Sequence, residues 1–249
     1  MAGHSKFKNI MHRKGAQDKK RANVFARLGR EITIAVRMGG GADPSMNPRL
    51  RLAIANAKSN SMPKDNIERA VRKGAGETDT DTYEEVRYEG YGPGGVAVIV
   101  DALTDNRNRT AAEVRAAFNK AGGSMGESGS VAFMFERMGE IRYPAEAATP
   151  DRAFEAALEA GAAEVQSDEE HEILCQPEDL HAVSAALIES LGDPSSCALV
   201  WKPRNLTPVG EDQAESLLKF MDALDDLDDV QNVTANYDIP DDVLERLAQ

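Results

Sequence analysis

The chain of 249 residues is 41% apolar and 29% charged, an ordinary globular balance, with room for one large domain or two to three small ones. Aromatic residues make up only 5% of it and Trp201 is the single tryptophan, so a wall of stacking rings does not fit as the main grip on a ligand. A net charge of −13 argues at first against a polyanionic partner, but residues 1–75 hold 17 Lys and Arg against 5 Asp and Glu, while residues 76–249 hold 12 against 37. A molecule divided in this way turns one end toward phosphate and the other away from it.

In chain order, residues 1–15 show no apolar periodicity and read as a basic arm. From Ala16 to Met38 the spacing predicts a helix, with Phe25, Leu28, Ile32 and Ala35 on one face and Lys19, Arg27, Arg30 and Arg37 on the opposite one. Gly39–Gly41 end it. Pro48 suits the first turn of a second helix with Leu50, Ile54 and Ala57 as its buried stripe, and Pro63 breaks that helix before a short third one ending at Gly74. Residues 75–85 are polar and acidic and read as a linker. Asp79 and Asp81 there lack the glycine and closing glutamate of a calcium loop.

Beyond the linker the pattern changes to strands alternating with helices. Residues 85–102 read as two strands about the Gly-Pro turn of GYGPGG, and Thr110 with Glu113 reads as a capping box for a helix to about Ala121, followed by SVAFMFE as a strand. Strands at 140–143, 163–167, 171–176 and 196–202 with helices at 151–160 and 178–191 then give βαββαβ, the ferredoxin-like order. The amphipathic EDQAESLLKFMDALDD, with Leu217, Met221 and Leu224 in line, and the strand VQNVTANY have no partners of their own, so they are expected to return to the sheet of residues 83–136. The expected class is α+β: a basic three-helix domain (1–75), a discontinuous α+β domain (76–137 plus 204–249), and an inserted ferredoxin-like domain (138–203).

The candidate chemistry is binding. Lys6, Lys8, Arg13, Lys14, Lys19, Lys20 and Arg21 fall within sixteen residues, a density suited to phosphate contacts, and Arg27, Arg30 and Arg37 extend it along the helix. Arg107 and Arg109 in DNRNRT sit at a helix start in the acidic body, placed either for phosphate or for a bridge to Asp101 or Asp105. GYGPGG lacks the Lys and Ser/Thr of a phosphate-binding loop and fits a hairpin turn. The histidines are scattered; His171 and Cys175 share a strand face without an orienting third group, which fits a surface imidazole and a small buried thiol. No catalysis, metal, cofactor or small-molecule substrate is expected. Cys175 and Cys197 are too few for a disulfide framework, no apolar run reaches membrane-spanning length, and the reducing cytosol is the expected compartment.

The segments MAGHSKFKNI, HRKGAQDKKRANVF, GGGADPSMNPRLRLAI, YEGYGPGGVAVIVD, DNRNRTAAEVRAAF, GSVAFMFERMGEI and DDVQNVTANYD together resemble the YebC/PmpR family, which includes the mitochondrial translational activator of cytochrome oxidase. The resemblance runs over essentially the whole chain. It implies three domains with a helical first one, a cytoplasmic location, no known catalysis, and DNA-binding transcriptional regulation as the expected function, with a ribosome-associated role that relieves stalling on proline-rich stretches as the alternative. The partner is then DNA, ribosomal RNA, or the ribosome. The family's basic motif falls here on Lys6, Lys8, Arg13, Lys14, Lys19, Lys20 and Arg21, and Phe7 stands where members commonly carry Trp.

Overall fold

The computed structural model describes residues 17–76 and 83–247. Lys6, Lys8, Arg13 and Lys14 and most of the expected linker lie outside the described residues. Among those described, two compact units emerge: one from residues 83–136 and 203–247 together with the helix up to Arg27, the other from residues 28–76 and 137–202. The second unit thus groups the helices with the segment expected to stand as a domain of its own, because Leu52 of the helical segment packs on that segment's core.

The helices are α1 (Gln17–Met38), α2 (Pro48–Ser59) and α3 (Lys64–Gly74). Asn47 caps α2, its Oδ1 accepting from Leu50 N at 3.0 Å while Nδ2 donates to Ala35 O and Gly41 O. One fully buried amide therefore starts the second helix and ties it to the end of the first.

In the first unit β1 (Glu84–Tyr91) and β2 (Ala97–Thr104) form an antiparallel hairpin across GYGPGG, where Gly94 and Gly95 have φ of 74° and 71°. It is followed by α4 (Arg107–Lys120) and the short β3 (Ser124–Met125). From the far end of the chain α7 (Glu211–Asp225) and β9 (Val230–Ala235) join them, giving the order β3-β1-β2-β9 with β2 and β9 antiparallel. Val98 and Val100 of the sheet, Val114 and Phe118 of α4, and Leu217, Met221 and Leu224 of α7 share one core. Asn236, fully buried, accepts from Ala97 N through its side chain at 2.8 Å and donates its own N–H back to Ala97 O, so β9 is fastened to β2 beyond its last residue. A two-residue pair, β8 (Thr207–Pro208) with β10 (Tyr237–Asp238), and α8 (Asp241–Leu247) complete this unit.

The inserted segment is β4 (Phe135–Pro144), α5 (Pro150–Ala160), β5 (Glu164–Ser167), β6 (Glu170–Cys175), α6 (Leu180–Leu191) and β7 (Ser196–Pro203). Its sheet order, β5-β6-β4-β7, is that of a ferredoxin-like fold, and Ile141, Tyr143, Ile173 and Cys175 face α5 and α6.

Two local expectations change. SVAFMFE is not a strand of its own: the buried carboxylate of Glu89 accepts the backbone N–H groups of Gly129, Val131 and Ala132, each at 2.9 Å, folding this stretch into turns. The strand begins only at Phe135 and runs through Gly139, where a β-carbon would lie 2.7 Å from Cys175 Sγ. The helix expected to be capped by Thr110 is capped by Asn106, whose Oδ1 accepts from Arg109 N at 3.1 Å. Thr110 lies inside the helix, fully buried.

Candidate nucleic-acid interface

Helix α1 carries Lys19, Lys20, Arg21, Arg27, Arg30 and Arg37 along 22 residues. Ile32, Thr33, Ile34, Ala35 and Val36 are five consecutive buried positions, so the helix is wrapped on every side there. Arg27, Arg30 and Arg37 are half-buried and not the freely solvated stripe that periodicity alone suggests. α3 lies close against it: a β-carbon on Gly74 would stand 2.7 Å from both Thr33 O and Val36 Cβ, and Thr33 Oγ1 donates to Ala70 O at 3.2 Å. Glu31, an acidic residue of this helix, is met by Arg49 of α2 through Nε at 2.9 Å and Nη2 at 3.3 Å. The fork satisfies the carboxylate and leaves the field of the helix cationic.

α2 and α3 are joined by residues 60–63, a spacing that a helix-turn-helix would use. In that arrangement the first turn of the second helix reads base edges. Here the first turns of α3 expose Asp65 and Glu68 beside Lys64, with Lys64 Nζ 3.6 Å from Glu68. Two carboxylates where phosphates would crowd on either side work against insertion into a major groove.

The DNRNRT loop resolves into two different arginines. Arg109 Nη2 donates to Asp105 and to Asp229, each at 2.7 Å. Asp229, from the turn before β9, also accepts from Thr110 Oγ1 at 2.7 Å and Thr104 Oγ1 at 3.1 Å. Burial alone pushes the Asp229 carboxyl up, but the hydrogen bonds from Arg109, Thr110 and Thr104 outweigh it and hold it below the usual carboxylate range. Arg109 is raised in turn by its bonds to Asp229 and Asp105. Of the two placements left open for this loop, Arg109 takes the bridge, to Asp105, and its main anchor is a residue 120 positions away. Asp101 instead takes Arg87 Nε at 3.0 Å. Arg107 stays 66% exposed, its nearest acid Glu84 at 3.7 Å. An acidic residue just before the strand VQNVTANY is the sole hint of Asp229 in the sequence.

His171 is not a surface imidazole. It is 2% exposed, with Nδ1 2.9 Å from Ser167 Oγ and Nε2 2.9 Å from Ala148 O, and it braces the β5–β6 hairpin. Cys175 is buried as a small apolar side chain; burial pushes its thiol up to about 11. Cys197 lies on β7, two strands away in the sheet, and both are free thiols.

Residues 5–77 match the family model described as the TACO1/YebC protein N-terminal domain, and residues 83–237 match the TACO1/YebC second and third domain. The chain belongs to the TACO1/YebC family. A crystal structure in the family's fold, the conserved hypothetical protein Aq1575 from Aquifex aeolicus, is 48% identical, covers 90% of this chain and 93% of its own, and superposes with a TM-score of 0.82. Membership supports a regulatory protein. Among the described residues no helix is long and apolar enough to cross a membrane.

Proposed function

We propose that this protein regulates gene expression by gripping structured RNA through its N-terminal basic segment, acting on translation at the ribosome by binding and positioning, in the cytosol, without a chemical step. The observation that carries the reading is the cationic helix α1, whose Glu31 is neutralised by Arg49, set in a chain that is otherwise strongly acidic. Lys19, Lys20 and Arg21, with Lys6, Lys8, Arg13 and Lys14 before them, supply backbone contacts, and Arg107 supplies a separate cation. RNA is favoured over duplex DNA by the exposed Asp65 and Glu68 at the start of α3: a shape and phosphate reader tolerates them, whereas a groove-reading helix does not. Transcriptional regulation through DNA is the second reading, supported by the short turn between α2 and α3.

The test is equilibrium binding of the full chain to a ribosomal RNA hairpin and to a promoter duplex of equal phosphate count, at physiological salt. RNA binding tighter by at least about tenfold is expected. A duplex bound as tightly, with a promoter footprint above that on random sequence, overturns the RNA reading in favour of DNA.

A further inference from the structure

Helix α5 is built inside out. Its positions facing the core are Ala153, Ala156 and Ala157, all buried, while its two largest apolar side chains, Phe154 and Leu158, are 56% and 68% exposed. A surface helix ordinarily buries its large apolar residues and keeps polar ones outward. Phe154 and Leu158 are four residues apart, so they stand one above the other as a single ridge. The neighbouring α6 adds Ile188, 39% exposed, on its own outer side.

The rim of this ridge is acidic. Asp151, Glu155 and Glu159 on α5, Glu178 and Asp179 in the turn just before α6, and Glu189 near its end are all exposed. Residues 138–203 hold 14 Asp and Glu against three cations. Two of those three are consumed on the opposite face of the sheet. Arg142 bonds Glu140 at 2.8 Å and Glu172 at 2.6 Å, and Lys202 lies 2.8 Å from each of the same carboxylates. Only Arg152 remains on the helical side, 3.9 Å from Glu155.

We propose that the outer face of α5 and α6 docks a basic amphipathic segment of another protein, whose apolar side chains cover Phe154, Leu158 and Ile188 and whose Lys and Arg pair with the acidic rim. Charge selects this occupant. The rim repels nucleic acid and an anionic lipid surface. An apolar ridge between carboxylates is the complement of a helix with an apolar stripe flanked by cations. The site is built from residues other than those of the basic end, so the protein would hold RNA through one set of residues and a basic protein through another, which suits a ribonucleoprotein target. The docking site does not depend on the RNA reading.

The probe is a fluorescent 14-residue helical peptide of Leu and Lys, read by anisotropy against the full chain. The wild type should bind it; F154S/L158S and E155K/E159K should each weaken binding by at least about tenfold, with circular dichroism unchanged. A peptide of the same charge without leucines should bind more weakly than the amphipathic one. Binding of the amphipathic peptide within about twofold of wild type in both variants overturns the proposal without touching RNA binding, which is measured in parallel on the same proteins. Tightening of about tenfold on deleting residues 1–15 also overturns it, since the occupant is then the chain's own basic arm.

Discussion

Replacing Asp229 tests whether the DNRNRT loop is held from within. Its carboxylate is 6% exposed and accepts from Arg109, Thr110 and Thr104. Hydrogen bonds to a charged group contribute roughly 1.5–3 kcal/mol each, but the sum overstates the loss. Thr110 keeps Thr104 Oγ1 at 2.8 Å and Asn106 O at 3.1 Å, while Arg109, 44% exposed, keeps Asp105 and regains water. Asp229→Ala should therefore cost about 2–4 kcal/mol, below the figure for breaking a fully buried pair. The readout is urea unfolding at pH 7 followed by circular dichroism. Because the folded carboxyl is held low, its contribution is present above the usual carboxylate range and lost as pH falls through the folded value, so Asp229→Asn should flatten the acid limb of stability. A loss under about 1 kcal/mol for Asp229→Ala would mean that the network is ornamental and that Arg109 is available to a ligand.

Replacing Lys19, Lys20 and Arg21 with Glu should weaken RNA binding strongly and lower the log-log salt slope by roughly 2–3 units with the helical signal retained; an unchanged slope removes α1 as the grip. Gly74→Ala, which forces a β-carbon to 2.7 Å from Thr33 O and Val36 Cβ, should destabilise by about 1–3 kcal/mol in thermal or urea unfolding. Burial raises the Glu140 carboxyl, but the hydrogen bond from Arg142 and the charge of Lys202 override it and hold it well below the usual range, so stability should fall as pH drops below about 4. Glu140→Gln should show a shallower fall over that interval. Arg107→Gln should reduce the RNA salt slope by about 1 unit, measured beside Arg109→Gln.

Periodicity and breakers alone placed the three N-terminal helices, the hairpin at GYGPGG, the βαββαβ order and the return of α7 and β9, because each rests on local spacing or on an element too small to stand alone. The charge partition that motivates the functional reading is likewise a property of the chain. What local spacing could not reveal is who meets whom. Thr110 looked like a cap because the motif fits; the fold gave the cap to Asn106 and set Thr110 against an aspartate 119 residues on. SVAFMFE has strand-forming residues, but Glu89, from another strand, captures its N–H groups. Arg27, Arg30 and Arg37 lie opposite the apolar stripe on a helical wheel, yet the fold leaves all three half-buried. Phe154 and Leu158 carry no surface signal in sequence, since an apolar residue on an amphipathic helix reads as core. Only the burial of Ala153, Ala156 and Ala157 on the helix's inner face turned them outward. In each case the deciding contact spans a distance along the chain that propensity and periodicity do not see, and the tertiary structure chose among local options of comparable energy.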